Sequence, residues 1–325
     1  MHISKSERRE CGDVYSPGMG RRLVVVEPFR SPFYAPQFVA LSHGHFRDEG
    51  LDVTVHTAPR SAGTVEALLH GEADICLGGI MRSLELADRD GGFLPHFIEV
   101  NRRNGFFLLA RGPQPDFRWN DLVGKTVLSF AEAPTPWQCM LTVLRRAGVD
   151  PASVTIERER PVAEAVAAFR GGHGDYLEQG QPVVEQLVAE GAAHVVASMG
   201  DATGPVPFSS YMTTAEFLRR HTDVACAFTR AFHRTQRWIV EHDAAAVAAA
   251  IAPAFPDIAG DLLVRIVDRY RRQDTWARDP VIRRDGYEYL QQILLDGGFI
   301  KRRHRYEDLV DVTVAQAVTG AAGDR

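Results

Sequence analysis

The stretch VVVEPFRSPFYAPQFVALSHGHFRDEGLDVTV, residues 24–55, decides the fold. Residues 23–26 form a short β-branched run stopped by Pro28, the pattern of a buried strand. Pro36 suits the first turn of a following helix, where its missing N–H is no loss. Phe38, Leu41 and Phe46 then share one helical face, and Gly50 ends the unit. Leu51, Val53 and Val55 alternate as a second strand. Between strand and helix lies a polar, aromatic turn carrying Phe29, Ser31, Phe33 and Tyr34. In α/β proteins a turn of this kind, opening onto a helix N-terminus, holds small polar or anionic ligands.

The alternation continues outward from that unit. Further strands are predicted at residues 75–77, 97–100 and 106–110, with helices over 36–49, 63–70 and 81–88. After the turn-rich Gly112-Pro113-Gln114-Pro115, a second run places strands at 126–130, 154–157, 175–178 and 194–197. Its helices fall over 137–147, 162–169 and 181–190. Residues 204–213 read as a crossing back, and helical patterns fill the chain from residue 215. The fold class is therefore α/β, with two lobes, two mostly parallel sheets, a hinged cleft and a helical C-terminal region. The expected division is a flexible N-terminal segment (1–20), the first part of lobe 1 (21–111), lobe 2 (112–204), and a return to lobe 1 with the C-terminal helices (205–325). A chain of 325 residues is long enough for two separate cores. No internal repeat stands out.

Composition narrows the partners. Hydrophobic content of 45% and charged content of 24% are those of an ordinary globular chain. A net charge of −5 makes no case for nucleic acid. No apolar run approaches the ~20 residues of a membrane span. Cys11, Cys76, Cys139 and Cys226 are scattered without metal-ligand spacing, so no metal or cofactor is expected and buried free thiols are the preferred reading. No Ser/His/Asp order, GxSxG, HExxH, P-loop or GxGxxG appears at useful spacing. Residues 1–20 lack the apolar centre of a secretory signal, and Cys11 after Arg9-Glu10 is no lipoprotein cysteine. As written, the chain is expected to stay in the cytoplasm unless an export signal has been removed.

In a parallel sheet the ligand meets loops that follow the carboxyl ends of strands. That rule selects Phe29, Ser31, Phe33 and Tyr34 after the first strand, and Arg60, Ser61, Gly63 and Thr64 after the second. It adds Gly79, Met81 and Arg82 after the third, and Asn101 after the fourth. In the second lobe it selects Pro134, Thr135 and Trp137 in a proline-stiffened loop, and Glu178 at the end of an apolar strand. Tyr211 joins them from the returning segment. Aromatic faces with an arginine and a carboxylate suit a planar heterocycle or an aromatic acid. The same aromatic side chains serve as core in many proteins, and Arg60 reads equally as a solvated surface residue. His43 and His45 are expected on the wet side of the first helix.

The order of several short motifs resembles a known family. Tyr34-Ala35-Pro36, Gly44-x-Phe46 and Glu49-Gly50-Leu51-Asp52-Val53 are similar to the first βαβ unit of NMT1/THI5-like (SsuA/TauA-type) substrate-binding proteins of ABC transporters. Glu66-Ala67-Leu68 with Gly71-Glu72-Ala73-Asp74-Ile75 resembles the helix-then-strand segment of that group. Asp121-Leu122-x-Gly124-Lys125-x-Val127 resembles the entry to its second lobe. The likeness covers residues 21–240 and implies the type 2 periplasmic-binding-protein fold. It also implies a small-molecule ligand from the pyrimidine (thiamine-precursor), aromatic acid or sulfonate classes, an ABC permease and ATPase as partners, and a periplasmic location. Glu178 resembles, by position, the cleft carboxylate of the pyrimidine-precursor binders.

Catalysis on the same scaffold is the alternative, as a cytoplasmic, cofactor-independent lyase of decarboxylase or desulfinase type. Arg60 followed by Gly63 is similar to the arginine segment of the aromatic sulfinate desulfinase, with His56 nearby. The place of that enzyme's nucleophilic cysteine is held here by Pro28-Phe29-Arg30-Ser31. The lysine and clustered cysteines of the thiamine-pyrimidine synthase have no counterpart in the first lobe's cleft loops. A stand-alone effector module of a regulator is a third reading.

Overall fold

The computed structural model describes residue 11 and residues 20–320. Apart from Cys11 and Gly20, the expected flexible segment 1–20 lies outside the described residues. Among the described residues ten strands follow in chain order: β1 (Arg21–Glu27), β2 (Leu51–Thr57), β3 (Ile75–Gly78), β4 (His96–Asn101), β5 (Phe107–Ala110), β6 (Thr126–Leu128), β7 (Thr155–Glu157), β8 (Tyr176–Gln179), β9 (His194–Ser198) and β10 (Ser209–Met212). They build two five-stranded sheets, in the orders β2-β1-β3-β10-β4 and β7-β6-β8-β5-β9.

Both sheets are mixed. In the first, β1 runs parallel to β2 and β3, with Val25 opposite both Val55 and Ile75. Strand β10 lies antiparallel between β3 and β4. In the second, β6 is parallel to β7 and β8, while β5 is antiparallel to β8 and β9. The antiparallel member of each sheet belongs to the chain's two crossings between lobes. The returning segment 204–213 carries β10, whose serine-rich SSYM gives little strand signal. Strand β5, expected in the first lobe, pairs into the second sheet. The first crossing is therefore residues 102–106, and the turn at Gly112–Pro115 only follows β5.

One device shapes the same corner of both lobes. The N–H of Asp74 donates to the carbonyl of Val24, and its Oδ2 accepts the N–H of Val24 at 2.8 Å. Asp175 does the same to Thr126, its Oδ2 accepting at 2.9 Å. A helix, a glycine turn and an aspartate thus lead into β3 and again into β8, pinning each to its parallel neighbour. The sequence hides this correspondence because GEAD and GHGD share only glycine and aspartate.

The helix expected over 36–49 is broken at Gly44, whose φ of +72° ends Ala35–Ser42 and starts His45–Asp48. The break turns His45 inward, where its Nδ1 lies 2.8 Å from the Thr235 hydroxyl, rather than onto the wet face. His43 packs its edge on Trp238. Helix Thr222–Glu241 runs beneath this pair and stacks Phe228 on Phe46. Cys226 of that helix forms a disulfide with Cys11, which corrects the expectation of four free thiols. Cys76 and Cys139 are buried and free, and burial pushes both thiols up to about 12. No helix among the described residues is long and apolar enough to cross a membrane.

Helix Gly260–Arg272 positions the cleft from outside both sheets. Its apolar face buries Leu263, Ile266, Val267 and Tyr270. Its charged edge sends Arg269 to the buried carboxylate of Glu185, on the second-lobe helix Val183–Ala189. Arg269 also lies over the Phe107 ring, 5.6 Å from its centroid. The C-terminal region thereby bridges the two lobes.

Candidate functional site

Strand β1 ends on Glu27, and the next residues turn across the mouth of the cleft. Ser31 accepts the N–H of Phe33 and so stiffens this turn. The buried Glu27 carboxylate accepts from Arg30 Nε at 3.0 Å, Thr57 Oγ1 at 2.9 Å and Gln37 Nε2 at 2.7 Å. Burial raises its pKa, and those three partners pull the other way. Tyr211 donates to Gln37 in turn, so Tyr211 is part of the support under the turn.

Facing this turn is the loop after β8. The N–H of Gln181 donates to the Tyr270 hydroxyl at 3.3 Å, and its carbonyl accepts from the Ser31 hydroxyl at 3.2 Å. Its side-chain Oε1 accepts the N–H of Glu185 at 3.0 Å. Gln181 thus ties the first-lobe turn, the second-lobe helix and the C-terminal helix together.

Between the two loops is a cavity of about 160 Å³. Phe29, Phe33, Phe106, Phe130 and Tyr270 form its aromatic walls, and Gln179 and Gln181 supply its buried polar groups. Phe106 and Phe130 lie 4.9 Å apart, Phe29 and Phe130 6.2 Å, and Phe33 and Tyr270 5.7 Å, centroid to centroid. Nε2 of Gln179 and Nε2 of Gln181 are buried without a hydrogen-bond partner. Arg30 and Glu132, both exposed, also line this chamber. An apolar cavity of roughly 150 Å³ accepts a benzene-sized ring, which sets the scale of what fits.

A second, narrower compartment of about 30 Å³ lies behind the same aromatic side chains. It shares Phe29, Phe33, Phe106 and Phe130 with the first, and adds Tyr34, Ser61, Thr64, Arg82 and Thr135. Arg82 Nη1 pairs with Glu85 at 3.1 Å, while its Nε is buried without a partner.

The structure therefore brings Phe29, Ser31, Phe33, Tyr34, Ser61, Thr64, Gly79, Met81, Arg82 and Thr135 to the two compartments. Arg60 instead pairs with Glu66 on the surface, and neither it nor Gly63 lines either space. Asn101 is buried and donates to the Phe33 carbonyl, holding the turn from below. Pro134 stands just outside the lining. Trp137 is turned away, with the Arg158 guanidinium over its ring at 4.0 Å. Tyr211 is wholly enclosed between Phe228 and Phe232.

Glu178 also lies off the lining. It is fully buried and takes a hydrogen bond from the Ser129 hydroxyl, while its Oε1 has no partner. Burial pushes its carboxyl up to about 7 against the pull of Ser129. Strand β8 extends to Gln179, one residue further than the sequence indicates. Side chains alternate faces along a strand, so the chamber receives Gln179 in place of Glu178. All four residues of β8 are buried, so no alternation in the sequence was a signal that could have found it. Phe130 was legible as an aromatic at the carboxyl end of a predicted strand, but Phe106 stands at the amino end of its strand and Tyr270 reads as one more core position of an amphipathic helix.

Comparison with known proteins agrees with this geometry. The sequence profile of the family described as NMT1/THI5 like matches residues 31–246. The chain is also 32% identical over 301 residues to YtlA of Bacillus subtilis (strain 168), whose name carries the words binding protein; the match spans 92% of this chain and 90% of that one. The chain belongs to the NMT1/THI5-like family. Among solved structures, the periplasmic aliphatic sulphonate binding protein SsuA from Escherichia coli superposes with a TM-score of 0.71 at 17% identity, over 93% of this chain and 99% of that one. The alkanesulfonate-binding protein SsuA from Xanthomonas axonopodis pv. citri, bound to MOPS, gives 0.68 at 17% identity, over 92% and 98%. At that identity the likeness shows the fold of the family, two lobes about a cleft, and the type 2 periplasmic-binding-protein architecture expected from sequence.

Proposed function

We propose that this chain is a solute-binding protein that closes its two lobes on a small, ring-bearing ligand and delivers it to an ABC importer. The observation that carries the reading is the chamber itself: side chains from both lobes and from the bridging C-terminal helix meet around about 160 Å³. A cleft built from two hinged halves gains ligand contacts only when shut, which is how such proteins couple binding to a recognisable closed shape. The aromatic walls favour a planar ring, offering stacked or edge contacts worth ~0.5–1.5 kcal/mol beyond area burial.

The family membership and the binding-protein names of its relatives support the transport setting. The Cys11–Cys226 disulfide supports an oxidising compartment such as the periplasm, because such bonds persist there and are rare in the cytosol. Besides apolar side chains and aromatic rings, the two compartments are lined by amides, hydroxyls, two arginines and one exposed glutamate. They suit holding a ligand by contact and hydrogen bonding. The test is a thermal-shift screen of the purified chain with pyrimidines, aromatic acids and sulfonates, each hit being recovered and analysed. A hit that stabilises the chain and is recovered intact agrees with binding, and turnover of a hit makes the chain an enzyme, a lyase or hydrolase according to the product.

A further inference from the structure

We propose that the chamber selects an uncharged ring bearing hydrogen-bond acceptors over its anionic counterpart, with Gln179 and Gln181 as the residues that read it. This selectivity rests on the cleft being a solute site, as proposed above, and names the chemical class of solute.

Gln181 Oε1 accepts the N–H of Glu185, and that bond fixes which end of the amide is which. Its NH2 is left as a donor on a residue lining the chamber, buried and without a partner. Gln179 contributes a second buried, unpartnered Nε2 from the neighbouring strand end. A buried donor with no acceptor is costly to a fold, so two on one small chamber mark where a ligand's acceptors go.

Charge decides what kind of acceptor. The only cation lining the chamber among the described residues is Arg30, and its Nε is already bonded to the buried Glu27 carboxylate at 3.0 Å. Glu132, the other charged lining residue, carries the same sign as an incoming anion. An anion would therefore leave water to meet only a guanidinium whose charge the Glu27 carboxylate already shares, with the Glu132 carboxylate on the same wall, whereas a neutral ring surrenders little hydration. The unpartnered Nε of Arg82 belongs to the second compartment, where about 30 Å³ admits one water-sized group and no sulfonate.

The test uses the full chain with its disulfide intact and three matched pairs of probes: nicotinamide and nicotinate, benzamide and benzoate, benzenesulfonamide and benzenesulfonate. Dissociation constants are read by ligand-observed NMR at millimolar concentrations. The neutral member of a binding pair is expected to bind at least tenfold more tightly than its anion. Gln179→Glu and Gln181→Glu, which replace the NH2 with oxygen at constant size, are expected to weaken the neutral probe at least tenfold. Gln179→Met serves where an acid variant fails to fold. Equal or tighter binding of the anion overturns the selectivity and leaves solute binding standing, as does a neutral probe indifferent to loss of both amides. A folded chain that binds none of the six contradicts the solute-site reading itself, and the selectivity falls with it.

Discussion

The hydroxyl of Ser31 donates to the main-chain carbonyl of Gln181 at 3.2 Å, joining the turn after β1 to the loop after β8. These residues lie 150 positions apart, and the bond ties a turn after a strand of the first sheet to a loop after a strand of the second. Ser31→Ala removes it together with the bond by which the same hydroxyl accepts the Phe33 N–H, the lost cap being read as a lower thermal midpoint and the lost cross-lobe bond as affinity. The expected effect is a two- to tenfold weaker Kd, measured by calorimetry on any probe that binds, which matches the ~0.5–1.5 kcal/mol net worth of one hydrogen bond. Unchanged affinity would mean that the bond plays no part in closure.

Gly105 sets how near the first crossing can come to Phe33. A Cβ placed on it would lie 2.2 Å from Phe33 Cε2, inside any tolerable contact. Gly105→Ala must therefore push the Phe33 ring out of its place on the chamber wall. Overpacking of this kind costs about 1–3 kcal/mol, so both the thermal midpoint and ligand affinity are expected to fall. Calorimetric unfolding and probe titration of the one variant check both.

Trp137 gives the opposite expectation. Its ring face is covered by the Arg158 guanidinium at 4.0 Å, and the residue lines neither compartment. Trp137→Ala is expected to leave Kd within about twofold while lowering stability by roughly 1 kcal/mol from lost cation–π contact and packing. A large loss of affinity with unchanged stability would place the ring in the site.

The reasons for these contrasts show what the sequence could and could not disclose. The strand, turn and helix of residues 24–55 were readable because β-branched runs, Pro28, Pro36 and Gly50 punctuate the chain locally. The place of Phe29, Phe33 and Tyr34 beside the two compartments was readable from their position after the carboxyl end of a strand. Gln179 was hidden because all four residues of β8 are buried, so no polar–apolar alternation in the sequence tells which of Glu178 and Gln179 faces the chamber. Trp137 was misplaced because the helix begins at Thr135, and rotation about that helix, invisible in sequence, aims the ring at Arg158. Tyr270 and Cys11 depend on contacts made across 89 and 215 residues, and no local pattern announces such partners.

Glu178 supplies a pH signature. Its carboxyl is raised from its ordinary value of 4.5 to about 7 by burial, so between those values the folded chain binds a proton that the unfolded chain has lost. Its contribution to stability is complete below pH 4.5 and is lost as pH rises through about 7. Glu178→Gln removes this dependence. Urea unfolding at pH 5 and pH 8 is expected to show a smaller loss for the variant than for the parent, the difference being roughly 1–3 kcal/mol. Glu99, raised to about 8 by burial, retains its own share of the slope in both proteins.

The Cys11–Cys226 disulfide fastens the N-terminal part of the chain to helix Thr222–Glu241. Closing so long a loop restricts the unfolded state, and its loss is expected to cost about 2–5 kcal/mol. Peptide mapping without reductant should recover residues 11 and 226 as one cross-linked species, and Cys226→Ser should lower the thermal midpoint. Recovery of four alkylated cysteines from the native protein would contradict the link.

The most direct test of solute binding is the crystal structure of the chain with the tightest probe from the thermal-shift screen, paired with chemical recovery of that probe. The expected result is an unaltered molecule lying between Phe29, Phe130 and Tyr270, with acceptors on the amides of Gln179 and Gln181. A probe found outside the chamber, or recovered as a product, would contradict it.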